Sequence, residues 1–327
     1  MMARHLLRDC DEFMLVRFKQ LTAKERHESW LKHRREGLGG SDMATILGLN
    51  KYKTPYELWL EKTGREQPVD ISDKWAIVKG NALEKELRNR FRSLHPEWEC
   101  YDGTDKSLVS RNHPFLIASL DGVLYDETRG YGVLEIKTTS AHRGKTDWHD
   151  MDGNLKIPDY YMAQVTHYLA VTGWTWGVVY ADIGEAEPVE IMFERDEEDV
   201  EAIIKAASDF WTYVQDDTPP ALTATDVDMV QQSTQPEGYE QVEDDEFDRL
   251  AALWHQFDEA EKSAKQQKTG ISDQLKTIVG DNRQGLVSLH NQVGYKDVRF
   301  KAQPAKTIPA KDAYTQRRFY VKPLNDN

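Results

Sequence analysis

Two neighbouring stretches, FLIASLDGVLY (115–125) and YGVLEIKTT (131–139), decide how the chain is to be read. Both are rich in branched and aromatic residues, and apolar positions recur with the period of two that marks a strand. The polar turn DETRG (126–130) joins them as a hairpin. Within the second stretch Glu135 and Lys137 lie two apart, so they project from one face together with Val133, while Leu134 and Ile136 point to the opposite, core side. Asp121 ends the apolar segment of the first stretch. The hairpin therefore brings three ionisable groups to one sheet edge.

Helical signals flank this hairpin. A first helix is predicted from Thr22 to Glu36, because Glu25 follows Thr22 at capping-box spacing and Gly37 stops it. The glycine-rich GLGGSDMATILG (37–48) turns into a short helix with Ser41 or Asp42 as N-cap, and Thr54-Pro55 with Glu57 opens another that ends at Gly64. Leu83, Leu87, Phe91 and Leu94 set a helix over about Lys79 to Leu94. Downstream lie a helix from about Pro158 to Val171, strands at 174–182 and 188–195, and a helix from Asp196 to Val214. Helix, hairpin, helix, strand, strand, helix describes an α/β fold with a central mixed β-sheet flanked by helices. This core occupies residues 1–215.

Residues 216–241 are poor in large apolar groups and rich in Pro, Thr, Gln and Asp, the composition of a linker. Beyond them, about Glu243 to Ile278 carries Phe247, Leu250, Leu253, Trp254, Phe257 and Ala260 at helical spacing. Polar turns, strands and a basic end, TQRRFYVKP (315–323), follow. Residues 242–327 thus read as a C-terminal helical arm with a basic end.

The 327 residues suit one α/β core plus an extension. Cys10 and Cys100 cannot build a disulfide scaffold and lack metal-ligand spacing, which fits buried or idle thiols in a reducing cytoplasm. No run approaches the ~20 apolar residues of a membrane span, and MMARHLLRDCDEF carries acids where a signal peptide needs an apolar stretch. The expected protein is neither membrane-bound nor exported. Its net charge of −14 is unevenly spread. Residues 185–250 hold −18, which leaves +4 for the rest. A mildly basic body still attracts phosphate, because the local field governs the encounter. The acidic segment reads as a solvated face or linker, with a protein-docking site as the alternative.

Two carboxylates, a backbone carbonyl between Glu135 and Lys137, and the lysine itself are what a hard divalent cation and an attacking water need. The lysine can orient that water or help to deprotonate it, while the cation stabilises charge developing on phosphorus oxygens. Taken alone, Glu-x-Lys is also what a solvated sheet face produces. Two further positions bear on the choice. Glu84 sits beside the apolar stripe of its helix, and Gln164 sits inside the stripe formed by Tyr161, Val165, Tyr168 and Leu169, where a buried amide needs partners.

Five stretches, taken together, resemble the YqaJ-like phage recombination nucleases, which are related to the lambda exonuclease within the PD-(D/E)xK superfamily. They are RREGLGGSDMATILG with YKTPYELWLEKTG, GNALEKELRNRF, SLDGV followed by LEIKT, IPDYYMAQVTHYLAVTG, and FERDEEDVEAIIKAASDFW. The resemblance covers roughly residues 28–215 and implies a restriction-endonuclease-like core. It also implies a metal-dependent 5′–3′ deoxyribonuclease that exposes a 3′ overhang on linear duplex DNA.

By the same resemblance Asp121, Glu135, the Ile136 carbonyl and Glu84 would bind Mg²⁺, or Mn²⁺ in its place, as a pair of ions. Lys137 would act on the water, and Gln164 matches an active-site glutamine. Arg34, seven residues before Ser41, matches a 5′-phosphate-binding pair, with Arg35 as the adjacent candidate; a guanidinium fork and helix-start amides would hold the anion. Implied partners are duplex DNA ends, a single-strand annealing protein and further copies of the chain in a closed ring, in the cytoplasm of a phage-infected or prophage-bearing bacterium. An endonuclease or nickase with the same site, and a non-catalytic DNA-binding recombination protein, are the rival readings. The intact set Glu84, Asp121, Glu135 and Lys137 argues against the last.

Overall fold

A computed structural model describes residues 5, 7–19, 22–184, 187–234 and 238–296. The chain opens with β1 (Phe13–Arg17), α1 (Ala23–Arg35), β2 (Leu38–Gly39), α2 (Gly40–Ile46), α3 (Pro55–Lys62) and α4 (Trp75–Leu94). Then come β3 (Glu99–Asp102), β4 (Lys106–Ser110), β5 (Leu116–Ala118), β6 (Gly122–Asp126) and β7 (Gly130–Thr138). They are followed by α5 (Ala141–Asp147), α6 (Asp159–Thr172), β8 (Trp176–Asp182), β9 (Val189–Glu194) and α7 (Glu197–Gln215). The remaining elements are α8 (Ala224–Thr234), α9 (Asp245–Val279), β10 (Gly285–Val287) and β11 (Gln292–Gly294).

The central sheet has the order β3-β6-β7-β8-β9, with β7 and β8 parallel and the other neighbours antiparallel. A second sheet, β1-β4-β5-β2, pairs β2 with β5 in parallel. This is the expected mixed sheet flanked by helices, with a helical C-terminal region.

The 115–125 run is two strands, not one. β5 belongs to the second sheet and β6 to the central one, and Ser119 to Asp121 make the crossing. Because both halves are apolar and buried, alternation carried no mark of the break. β7 also departs from the expected one-sided strand: Val133, Leu134 and Glu135 are all buried. Leu134 and Ile136 join Leu124, Val178 and Tyr180 under Leu87 and Phe91 of α4. The opposite face lies against α6, in which Ala163 to Leu169 are all buried. A strand beside a parallel neighbour with helices on both sides has no solvated face.

Helix starts follow the caps. Thr22 and Thr54 each accept from the backbone N–H of the glutamate three residues on, and each glutamate reaches back, which completes two capping boxes. For α2 the N-cap is Gly39, neither Ser41 nor Asp42; Asp42 accepts from Gly39 N at 2.9 Å and serves the helix from its third position.

The chain divides into two compact units, the first ending at Val227 and the second starting at Asp228. Within the 216–241 stretch read as linker, 224–234 is helical. Asp226 is 1% exposed and anchors its surroundings through polar contacts, which an apolar pattern does not report. Its carboxylate accepts from Thr54 Oγ1 at 2.5 Å and from Thr223 N and Oγ1 at 2.7 Å each. The second unit contains α9, capped by Asp244, and the β10–β11 hairpin, with Val279 buried. The basic end 315–323 lies outside the described residues. Asp226→Ala leaves the half-buried Thr54 hydroxyl without its acceptor and should lower stability by about 1–3 kcal/mol in urea denaturation; an unchanged midpoint would show that the segment contributes nothing to the first unit.

Candidate active site

The strand order places Asp121 at the start of β6 and Glu135 at the centre of β7, with α6 across the face that carries Glu135. Asp121 Oδ2 accepts from the backbone N–H of Ile136 at 2.8 Å, which ties the crossing segment to β7. Lys137 Nζ lies 2.6 Å from Glu135 Oε1 and donates to Gln164 Oε1 at 3.0 Å. Gln164 Nε2 donates to Glu135 Oε1 at 2.8 Å and to the Tyr168 hydroxyl at 2.7 Å. Asp121, Glu135, Lys137 and Gln164 are therefore one connected cluster, and the buried amide has partners at both ends.

Burial pushes the Asp121 carboxyl well above the usual carboxylate range, and repulsion from Glu135 and Glu84 adds to it. Glu135 is likewise raised by burial, and Glu84 works in the same direction against the pull of Lys137. Burial alone would lower Lys137, yet Glu135, Tyr161 and Asp121 hold it above its ordinary value. Lys137 is thus an ammonium, placed 4.4 Å from the centre of the Tyr161 ring. It can orient a water or stabilise an anion.

A cation fits this chemistry. The second carboxylate oxygen of Glu135, Oε2, is buried and has no hydrogen-bond partner, and two crowded carboxyls with raised pKa favour a positive charge between them. Among the described residues, no three of His, Cys, Asp and Glu stand close enough to hold an ion unaided. Glu84, expected in the set, is engaged by an arginine. Its Oε1 accepts from Arg88 Nη1 at 2.9 Å, and the same nitrogen donates to the Asp121 carbonyl at 2.6 Å. Asp121, Glu135 and the Ile136 carbonyl remain. For a hard ion that keeps several waters, one or two carboxylates suffice.

Arg34 and Ser41 also meet: Arg34 Nη2 donates to Ser41 Oγ. Arg34 lies over the Trp30 ring, 5.2 Å from its centre, whereas Arg35 is exposed. The pair borders the carboxylate cluster through Gly40. A Cβ there would sit 2.6 Å from Tyr168 Cε1 and 3.0 Å from Gln164 Cγ, so only glycine lets α2 start against α6.

Several contributors escaped the sequence reading. Lys62, its side chain 6% exposed, donates to Asp42 Oδ2 at 2.8 Å and to the carbonyls of Gly37 at 2.6 Å and Arg34 at 3.1 Å. Arg88 is buried and bridges Glu84, Asp102 and the Asp121 carbonyl. Their only signal was position: Lys62 lies one turn beyond the buried Leu58 and Trp59, and Arg88 lies one turn beyond Glu84 and beside the buried Leu87. Burial would raise Asp42, but Lys62 and Arg34 outweigh it and hold the carboxyl at about 2. Asp42 thus faces two cations, Lys62 at 2.8 Å and Arg34 at 3.9 Å, and the three side chains together keep one net positive charge that an anion can meet.

Residues 29–175 match the family model of the YqaJ-like viral recombinase domain. The uncharacterized protein YqaJ of Bacillus subtilis (strain 168) is 39% identical over 189 residues, which cover 56% of this chain and 55% of that protein. The uncharacterized protein R354 of Acanthamoeba polyphaga mimivirus is 30% identical over 156 residues, 46% of this chain and 27% of that one. The chain thus spans about half the length of the first relative and about a quarter of the second. Among solved structures, the alkaline exonuclease LHK-Exo from Laribacter hongkongensis aligns with a TM-score of 0.44 at 21% identity, over 58% of this chain and 93% of that chain. The resemblance read from the sequence motifs is borne out.

The Asp42 arrangement has a pH signature. Its folded pKa of about 2 lies below the ordinary 3.8, so its contribution is complete above about pH 4 and is lost as pH falls towards 2. The stability difference between the parent and Asp42→Asn, measured by urea denaturation at stepped pH, should shrink by about 2 kcal/mol over that interval. A difference that stays constant with pH would remove Asp42 from the ion pair.

Proposed function

From the YqaJ-like viral recombinase domain carried by residues 29–175, we propose that the chain is a divalent-cation-dependent deoxyribonuclease that acts at the ends of linear duplex DNA. It removes the 5′-ended strand and leaves a 3′ overhang for homologous recombination by single-strand annealing. The observation that carries the reading is the joined cluster of Asp121, Glu135, Lys137 and Gln164, with the Arg34–Ser41 pair beside it through Gly40.

Asp121, Glu135 and the Ile136 carbonyl would hold Mg²⁺, or Mn²⁺ in its place, and Glu84 would join them by exchanging Arg88 for a second ion. When bound, such ions polarise the phosphodiester and lower the pKa of an attacking water. Lys137, as an ammonium, orients that water and neutralises the pentacovalent phosphorus centre. Gln164 fixes both Lys137 and Glu135, so that neither side chain swings when substrate charge arrives. Arg34 and Ser41 receive the terminal 5′ phosphate, and Lys62 holds Arg34 in place through its backbone carbonyl. This placement favours a strand end over an internal bond, because a doubly charged terminal phosphate gains most from a guanidinium. Within this reading the chain works in the cytoplasm of the bacterial host and hands its overhang to an annealing protein.

Linear duplex labelled on the 5′ or the 3′ end, with and without Mg²⁺, tests the proposal beside covalently closed circles. Loss of the 5′-ended strand only, with intact circles, is the expected result; nicked circles would make the chain an endonuclease. Asp121→Ala should reduce cleavage by about a hundredfold or more while circular dichroism stays unchanged, and Lys137→Ala should be nearly as severe while calorimetry still detects the ion. Cutting by Asp121→Ala at the parent rate would refute the site. Arg34→Ala should lose about tenfold or more of the preference for 5′-phosphorylated over 5′-hydroxyl ends; undiminished preference would move the phosphate contact elsewhere.

A further inference from the structure

Helix α9 carries positions spaced alternately three and four residues apart, at 247, 250, 254, 257, 261, 264, 268, 271, 275 and 278. This is the a/d spacing of a coiled coil sustained for the full length of the helix. Phe247, Leu250, Trp254, Phe257, Ile271 and Ile278 occupy it and are between 42% and 68% exposed. The apolar positions form two stretches, 247–257 and 271–278, separated by Glu261, Ala264 and Lys268, and exposed apolar stripes on a helix of about 50 Å are expected to be covered.

The charges identify the occupant. From Asp245 to Glu261 the helix has six acids and Arg249; from Lys262 to Val279 it has four lysines and Asp273. The helix is therefore complementary to itself when reversed. We propose that α9 pairs with α9 of a second copy of this chain as an antiparallel coiled coil.

A register that overlaps nearly the whole helix sets Phe247 against Ile278 of the second copy, Leu250 against Leu275 and Trp254 against Ile271. These three outer layers each join a residue of the N-terminal half to an aliphatic one of the C-terminal half, and two-fold symmetry repeats them at the other end; the inner layers of the same register set Phe257 against Lys268 and Glu261 against Ala264, where no like charges meet. At the flanking positions Asp258 faces Lys265 of the second copy. The alternative, a parallel in-register pair, stacks Glu261 on Glu261 and Lys268 on Lys268 at the seam and aligns the acidic halves, which costs stability and specificity. The pairing is isologous, so it closes at two copies. It links chains irrespective of whether the first unit cleaves DNA.

The full-length chain should sediment as a dimer at micromolar concentrations. Leu250→Glu combined with Ile271→Glu should raise the dissociation constant about a hundredfold or more, with helix content by circular dichroism retained. In a chain bearing Leu250→Cys and Leu275→Cys together, mild oxidation should yield a covalent dimer above the background given by Cys10 and Cys100 in the parent. Neither single cysteine substitution should do so. A monomeric parent, an assembly indifferent to the glutamate substitutions, or cross-linking by Leu250→Cys alone would overturn the proposal, the last because it reports a parallel pair.

Discussion

Glu135 is a carboxylate 1% exposed in the middle of a strand covered on both faces, and the surrounding architecture answers that burial. An unpaired ion in such a place costs several kcal/mol, so each neighbour has to supply a proton, a donor or a counter-charge. Lys137 supplies the charge and Gln164 a donor to the same oxygen, Oε1, which leaves Oε2 bare. The residues two apart on β7 and the residue on α6 are thus dependent on one another. Moving any one of them leaves a buried polar group unsatisfied, which is more costly than the bond itself is worth.

This dependence explains why α6 is buried almost all round. It must press Gln164 onto β7 on one side and receive α2 on another, and the start of α2 comes near enough only because Gly40 lacks a Cβ. The same close approach carries Arg34 and Ser41 to the cluster, since both adjoin the turn that leads into α2. Lys62 then stiffens that turn from α3 by binding the carbonyls of Arg34 and Gly37 together with Asp42. Four elements distant in sequence meet in one polar layer, which leaves Glu135 Oε2 without a donor and one net positive charge over Arg34, Lys62 and Asp42, the two places where a cation and an anion respectively would be accommodated.

What the sequence disclosed depended on whether a residue's role was local. Capping boxes at Thr22 and Thr54 are local chemistry, so the starts of α1 and α3 could be read to the residue. Glu135 and Lys137 share a strand face by the pleat alone. The strands β1, β3 and β4 were not legible, because each is four or five residues long and is defined by its partner: β1 pairs with β4, and β3 with β6, across long separations. Lys62 and Arg88 look like ordinary solvated helix charges until the fold buries them. Glu84 shows the converse. Its motif marks it as a candidate ligand, while the partner of its Oε1, Arg88 four residues on, carried no mark in the motif. Residues 216–241 misled for another reason: Asp226 is fixed by hydroxyls and an amide, and hydropathy does not register such anchoring.

The acidic stretch at 185–250 bears on whether a chain of net charge −14 can approach DNA. Much of its charge is helix-start chemistry. Asp196 caps α7, whose first turn holds Glu197, Glu198 and Asp199; Asp244 caps α9, whose first turn holds Asp245, Glu246 and Asp248. Carboxylates at these positions satisfy orphan N–H groups and complement the positive end of the helix dipole. Asp226 is buried against hydroxyls, and Asp217 pairs with Arg65. These acids are committed to local structure, so the sum of charges overstates the repulsion that a phosphate backbone meets at the cluster. The local balance there is set by Arg34, Lys62 and Lys137 against carboxylates that burial already inclines to accept a cation.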